Sequence, residues 1–147
     1  MESQPNVLRT MVDSLIQTKI LKFLKTGEVK HKIIDLFFSN IRNILGGRVR
    51  FFVSGGAPLS TEIKNVLTVV FSAPIFEAYG CTESAGCITC TEETDVLGNH
   101  VGGVLPCCRM QLRDVPELGL FTSADVPIGE IYLKGNSVFH GYFKNPE

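Results

Sequence analysis

Val49-Arg50-Phe51-Phe52-Val53-Ser54-Gly55-Gly56-Ala57-Pro58 is the stretch that decides the fold. Val49 to Val53 is a short β-branched and aromatic run, which predicts a strand. The glycine pair and the proline predict a turn, and Ser60 predicts the N-cap of a helix. In that helix Ile63, Val66, Leu67, Val70 and Phe71 recur at i, i+3, i+4, i+7 and i+8, which predicts one buried face, and Glu62 in the first turn suits the helix dipole. A second short strand is expected from Pro74 to Ala78, ending in Tyr79-Gly80. Strand, helix, strand forms a βαβ unit, so the sheet should be parallel and its ligand should lie beyond the carboxyl ends of the strands. Ser54 to Pro58 and Tyr79 to Glu83 both fall at those ends.

Toward the N-terminus, Leu8, Met11, Val12, Leu15, Ile16, Ile20, Phe23 and Leu24 recur near the helical period, and Lys25-Thr26-Gly27 supplies the stop. A second helix is expected from Lys32 to Leu45, with Ile34, Phe37, Ile41, Ile44 and Leu45 as its apolar stripe and Gly46-Gly47 as its end. Both stripes read as core-facing surfaces. Toward the C-terminus, Met110 and Leu112 alternate with Arg109, Gln111 and Arg113, and Ile131 and Leu133 alternate with Tyr132 and Lys134. Each set predicts a strand with one face in water, and Pro116 to Pro127 reads as an ordered loop between them. No repeat, low-complexity tract or interdomain linker interrupts the chain.

The 147 residues are 44% hydrophobic and 20% charged, the range of a globular domain that buries one core, either whole or as part of a larger one. A net charge of -1, with 14 Lys and Arg scattered along the chain, argues against nucleic-acid binding. No apolar run reaches the ~20 residues that span a bilayer. Met1 to Pro5 lacks the regions of a secretory signal, so the expected location is intracellular, cytoplasmic or peripheral to an intracellular membrane. Five cysteines without an export signal predict reduced thiols. Cys87-Ile88-Thr89-Cys90, His100 and Cys107-Cys108 are spaced somewhat like a zinc ribbon. Adjacent cysteines usually point apart, however, and the second two-residue spacer is missing, so the thiols read first as small packing residues and a zinc module using Cys87, Cys90, His100 and Cys107 as the rival.

Tyr79-Gly80-Cys81-Thr82-Glu83 carries the most chemistry. An aromatic ring can stack on a purine, a glycine admits substrate to the backbone, a hydroxyl can bond a phosphate, and a carboxylate can hold Mg²⁺. The bland alternative has Tyr79 packing, Gly80 turning the chain, and Thr82 and Glu83 simply facing water. Ser54 to Pro58 can likewise either reverse the chain or bring backbone N–H groups to a nucleotide. Neither G-x-x-x-x-G-K-[ST] nor G-x-G-x-x-G occurs, so this turn is better suited to lie against a base than to wrap phosphates.

These two motifs, followed by Gly129-Glu130-Ile131-Tyr132-Leu133-Lys134-Gly135 and Gly141-Tyr142, resemble in order and spacing three core motifs of the adenylate-forming superfamily. Asp114-Val115-Pro116-Glu117, the segment from His31 to Gly47, and the run from Val138 to Glu147 resemble its long-chain fatty acid–CoA ligase branch. The resemblance implies an α/β fold: part of an adenylate-forming N-terminal domain, with a parallel sheet and flanking helices leading into a smaller β region. It implies activation of a fatty acid by ATP to an acyl-adenylate and transfer to coenzyme A. Carried over by motif, Gly55, Gly56, Ala57 and Pro58 would line one side of adenine and Tyr79 would cover the other. Gly80 and Thr82 would contact the nucleotide, Gly80 and Cys81 would line the acyl pocket, and Glu83 would bind Mg²⁺. Thr82 and Glu83 are thus the expected catalytic residues, while Gly129 and Glu130 would support the site.

The superfamily's phosphate loop should precede this segment, and nothing like it occurs between Met1 and Arg50. Its ribose-binding Asp motif, hinge and C-terminal domain would follow Glu147. Residues 1–147 are therefore expected to be a partial AMP-binding (acyl-CoA synthetase) domain that alone is catalytically incomplete and at most binds nucleotide. The rival is a self-contained, non-catalytic protein that binds nucleotide or a partner through Ile34, Phe37 and Phe71.

Overall fold

The computed structural model describes residues 7–145. They divide into two compact units: residues up to Glu77 together with Thr91–His100, and Ala78–Cys90 together with the chain from Val101 onward.

In the first unit, α1 (Val7–Thr26) is the helix predicted from the apolar spacing, and Gly27, at φ 71°, ends it. Ile20 and Phe23 of α1 are buried with Val69, and Ile16, Val29, Val66 and Val96 pack around them. The expected single helix from Lys32 to Leu45 is instead two short ones, α2 (Ile34–Phe37) and α3 (Ser39–Ile44). The chain leaves helical geometry at Phe38 (φ -88°, ψ 6°), and the Ser39 hydroxyl donates to the Leu36 carbonyl at 2.7 Å. The break turns Phe38 into the core with Ile34 and Val70, while Phe37, Ile41, Ile44 and Leu45 of the anticipated stripe stay exposed.

β1 (Phe52–Gly55) leads to α4 (Thr61–Phe71), whose N-cap Ser60 accepts a hydrogen bond from the Ile63 amide at 3.2 Å. The buried face of α4 differs from the predicted one. Lys64, Asn65, Thr68, Val69 and Val70 are buried, whereas Ile63 is 53% exposed. Pairing explains the reversal. Lys64 Nζ lies 2.9 Å from Glu77 Oε1 and donates to the Leu97 carbonyl at 3.1 Å, so the ammonium is compensated inside. The Lys64–Glu77 contact is close but poorly directed for a hydrogen bond, and we read it as an ion pair.

A second buried lysine ties three helices together. The Lys19 ammonium donates to Asp35 Oδ1 in α2, to the Val69 carbonyl in α4, and to Ser72 Oγ at 2.7 Å, in the left-handed cap of α4. Asp35 also accepts from Ser72 Oγ and from the His31 amide, each at 2.9 Å.

β2 (Ile75–Cys81) spans the boundary between the units. With β3 (Gly86–Cys90) and β4 (Gly103–Val104) it completes a sheet of order β1-β2-β3-β4. The crossover through α4 makes the β1–β2 step parallel, while β2–β3 and β3–β4 are antiparallel, so the sheet is mixed. The remaining elements of the second unit are β5 (Cys108–Arg113) and β6 (Glu130–Gly135), which pair antiparallel with Met110 opposite Leu133. Both strands were expected from their alternation, and Arg113 stacks over the Tyr132 ring at 3.9 Å. Asp114 caps the intervening loop by accepting from the amide and hydroxyl of Thr122, each at 2.7 Å.

Candidate functional site

Gly55 closes β1, and Gly56, Ala57 and Pro58 continue it as an exposed bend. Gly56 has φ 81°, a conformation that side-chain-bearing residues rarely adopt. The turn thus presents bare backbone to solvent immediately before α4.

The second motif is placed one step differently from the prediction. Tyr79, Gly80 and Cys81 belong to β2 rather than following it, and only Thr82 and Glu83 lie past the strand, in a 3₁₀ turn (Thr82–Ser84). The register of β2 with β3 slips between Tyr79 and Gly80, where Tyr79 faces Thr89 and Gly80 faces Cys87. This bulge explains the glycine, because a Cβ at position 80 would overlap the Gly86 carbonyl. Tyr79, Gly80 and Cys81 are half-buried, and Thr82 and Glu83 are exposed.

Two contributors to this turn carried no role in the sequence reading. Ser84 is buried; its hydroxyl donates toward the carbonyls of Cys81 (2.9 Å) and Gly86 (2.8 Å) and accepts from the Cys81 amide at 3.2 Å, which clamps the turn. Its signal was slight, a small hydroxyl residue just after Thr-Glu. Tyr142 donates its hydroxyl to Glu83 Oε1, and the Phe139 amide donates to the Glu83 carbonyl at 3.0 Å. Tyr142 belongs to the third motif, but nothing in the sequence says that residues so far apart meet.

The electrostatics of Glu83 follow from its donors. The Tyr142 hydroxyl first, then a backbone N–H and the Cys81 thiol, hold its carboxyl below the usual carboxylate range, and the same contact raises the Tyr142 phenol. Glu83 is therefore a fixed anion at neutral pH. An exposed carboxylate at a strand end fits Mg²⁺, which commonly takes one or two carboxylates along with nucleotide phosphates.

The cysteines are not core residues: Cys87 and Cys107 are exposed, and Cys81, Cys90 and Cys108 are half-buried. All five are free. Burial, followed by the neighbouring thiols Cys90, Cys107 and Cys108, raises Cys87, whose Sγ donates to the Thr89 carbonyl at 2.9 Å. Among the described residues no three His, Cys, Asp or Glu side chains converge as a metal site, so the zinc-ribbon arrangement is not assembled. His100 lies 3.1 Å from Asp95 instead. The residues offered for partner binding do not share a surface either: Ile34 is buried, Phe71 packs on Phe52 with ring centroids 5.3 Å apart, and Phe37 alone is exposed.

Gly129 sits against the strand partner, since a Cβ there would overlap the Arg113 carbonyl, and Glu130 begins β6. In the first unit a cavity of about 910 Å³ is lined by Lys22, Lys30, Lys32, Arg50 and Glu93 among others, and no residue of Gly55–Pro58 or Tyr79–Glu83 lines it. Among the described residues no helix is long and apolar enough to cross a membrane.

Comparison with known proteins shows the family. The AMP-binding enzyme family matches residues 3–143. The peroxisomal long chain acyl-CoA synthetase 6 of Arabidopsis thaliana is 46% identical over 83% of this chain and 18% of its own length. Long-chain-fatty-acid–CoA ligase 5 of Mus musculus is 36% identical over 97% of this chain and 23% of its own. The chain therefore spans about a fifth of the length of the curated relatives it matches. Among solved structures, the A domain of a carboxylic acid reductase from Segniliparus rugosus, bound to AMP and a co-purified carboxylic acid, aligns with a TM-score of 0.59 and 27% identity, covering 92% of this chain and 21% of that one. Strand, glycine turn and helix, followed by the bulged Tyr-Gly strand and its acidic turn, thus occur in a sequence matched over residues 3–143 by one family: the chain belongs to the AMP-binding enzymes.

Proposed function

We propose that this chain is the nucleotide-contacting part of a long-chain fatty acid–CoA ligase. The reading is carried by the exposed Thr82-Glu83 turn, held by Ser84 and Tyr142, in a chain 36–46% identical to long-chain acyl-CoA synthetases. In the first step a fatty acid carboxylate oxygen bonds to the α-phosphorus of ATP, the bond from that phosphorus to the bridging oxygen breaks, and pyrophosphate leaves. In the second, the coenzyme A sulfur bonds to the acyl carbon, the acyl–oxygen bond breaks, and AMP leaves with the thiol proton released.

Within that reading the Gly55–Pro58 turn lies against adenine, and Tyr79 stacks on the base. Gly80 offers backbone to the nucleotide and, with Cys81, borders the acyl carboxylate. The Thr82 hydroxyl donates to the phosphate. Glu83 would hold Mg²⁺, which when bound neutralises phosphate charge as pyrophosphate departs. Positioning and charge neutralisation supply most of the rate in phosphoryl chemistry, so residues acting only as donors and platforms suffice for this share of the work. ATP and coenzyme A as substrates place the protein inside the cell, in the cytoplasm or against an intracellular membrane.

The test is ATP–pyrophosphate exchange by the full gene product with and without a long-chain fatty acid. Acid-dependent exchange that Glu83→Gln lowers by about 100-fold or more supports the reading. Exchange independent of the acid, or untouched by the substitution, contradicts it.

A further inference from the structure

We propose that Tyr142 is a positioning residue for Glu83, fixing its carboxylate in the orientation in which it shares a divalent cation with nucleotide phosphates; this rests on the nucleotide reading above. Glu83 projects from a turn of three residues into solvent, where a long acidic side chain would otherwise sample many rotamers. Two contacts from a segment 59 positions away, as the hydrogen bond spans, remove that freedom. The Phe139 amide pins the Glu83 carbonyl at 3.0 Å, and the Tyr142 hydroxyl takes Oε1. Tyr142 is itself braced, edge-on to Phe139, with ring centroids 5.0 Å apart. Gly141, at φ 147°, makes the turn that delivers it.

A carboxylate offers about four acceptor positions; the Tyr142 hydroxyl uses one and the Glu83 N–H and Cys81 thiol bear on others, so the exposed carboxylate is oriented with acceptor capacity still open to a cation. Partners of this kind behind a metal-binding carboxylate typically change metal affinity by 10- to 100-fold when removed. The arrangement also couples the third motif to the second, because Tyr142 and Phe139, after β6, both bond to Glu83.

The experiment is Mn²⁺ binding, read by electron paramagnetic resonance in the presence of ATP, for the full gene product and for Tyr142→Phe, Glu83→Gln and the double variant. The phenylalanine keeps the ring packing, and a melting temperature within a few degrees of the parent verifies folding. ATP-dependent Mn²⁺ affinity about tenfold weaker in Tyr142→Phe, metal-free ATP binding unchanged, and no further loss when that change is added to Glu83→Gln would support the inference. Loss of Mn²⁺ binding in Glu83→Gln with parental affinity in Tyr142→Phe would overturn it and leave the nucleotide reading intact. Glu83→Gln binding Mn²⁺ like the parent, or a parent with no ATP-dependent metal binding, would overturn both.

Discussion

Replacing Asp35 by alanine gives the sharpest test of how the first unit is held together. The Lys19 side chain is 1% exposed, and the substitution removes the anion paired with it while leaving the Val69 carbonyl and Ser72 hydroxyl as acceptors. Stranding one partner of a buried pair costs about 3–5 kcal/mol. The ceiling is set by chemistry: a lysine that ordinarily titrates near 10.4 can escape by losing its proton, which at pH 7 costs about 5 kcal/mol. Burial already lowers the Lys19 pKa, with Asp35 partly opposing it, so loss of Asp35 lowers it further. The unfolded chain then binds more protons than the folded one between the folded pKa and about 10.4, and stability must rise with pH across that window. Urea unfolding of the chain by far-ultraviolet circular dichroism should show a midpoint about 1.5–2.5 M lower at pH 7, taking a slope of about 2 kcal/mol/M. The deficit should shrink by pH 9.5. Adding Lys19→Met removes the stranded charge, so the double variant should be more stable than Asp35→Ala. A loss under about 1 kcal/mol, no pH dependence, or a double variant weaker than the single would refute the argument.

Glu77→Gln strands Lys64 in the same way, between side chains 3% and 8% exposed, and should cost about 3–5 kcal/mol in urea unfolding. Ser60→Ala leaves the Ile63 amide without its cap acceptor and should lower stability by about 1 kcal/mol, measured in the same assay. Gly80→Ala drives a methyl into the Gly86 carbonyl, which is backbone and cannot swing aside; about 3 kcal/mol or more is expected, with faster amide exchange across β2 and β3.

The elements that the sequence announced are those where one local force acts alone. α1 runs to its glycine, and β5 and β6 form where the alternation predicts strands, although Leu8, Met11 and Leu24 of α1, Met110 of β5 and Ile131 of β6 stay exposed. The failures lie where side-chain chemistry overrides pattern. Lys64 and Thr68 lie outside the apolar stripe predicted for α4, yet both are buried, Lys64 because Glu77 and the Leu97 carbonyl compensate it. Phe38 was passed over in favour of Phe37, because a single helix was assumed where Ser39 bonds back to Leu36 and divides it. β3 was hidden by its cysteines: Cys87-Ile88-Thr89-Cys90 drew attention as a metal spacing and is a strand. Of the candidate site, the residue types and the turns were legible. The bulge at Gly80, the Ser84 clamp and the reach of Tyr142 to Glu83 were not, since each depends on a pairing between distant segments.

The central claim is that the Gly55–Pro58 and Tyr79–Glu83 segments contact a nucleotide. Photolabelling of the full gene product with 8-azido-ATP, followed by peptide mapping, tests it directly. The account predicts label on peptides carrying residues 54–58 or 79–83, with protection by excess ATP. Label confined to other peptides, such as those lining the basic cavity around Lys30 and Arg50, or label that ATP fails to displace, would contradict it.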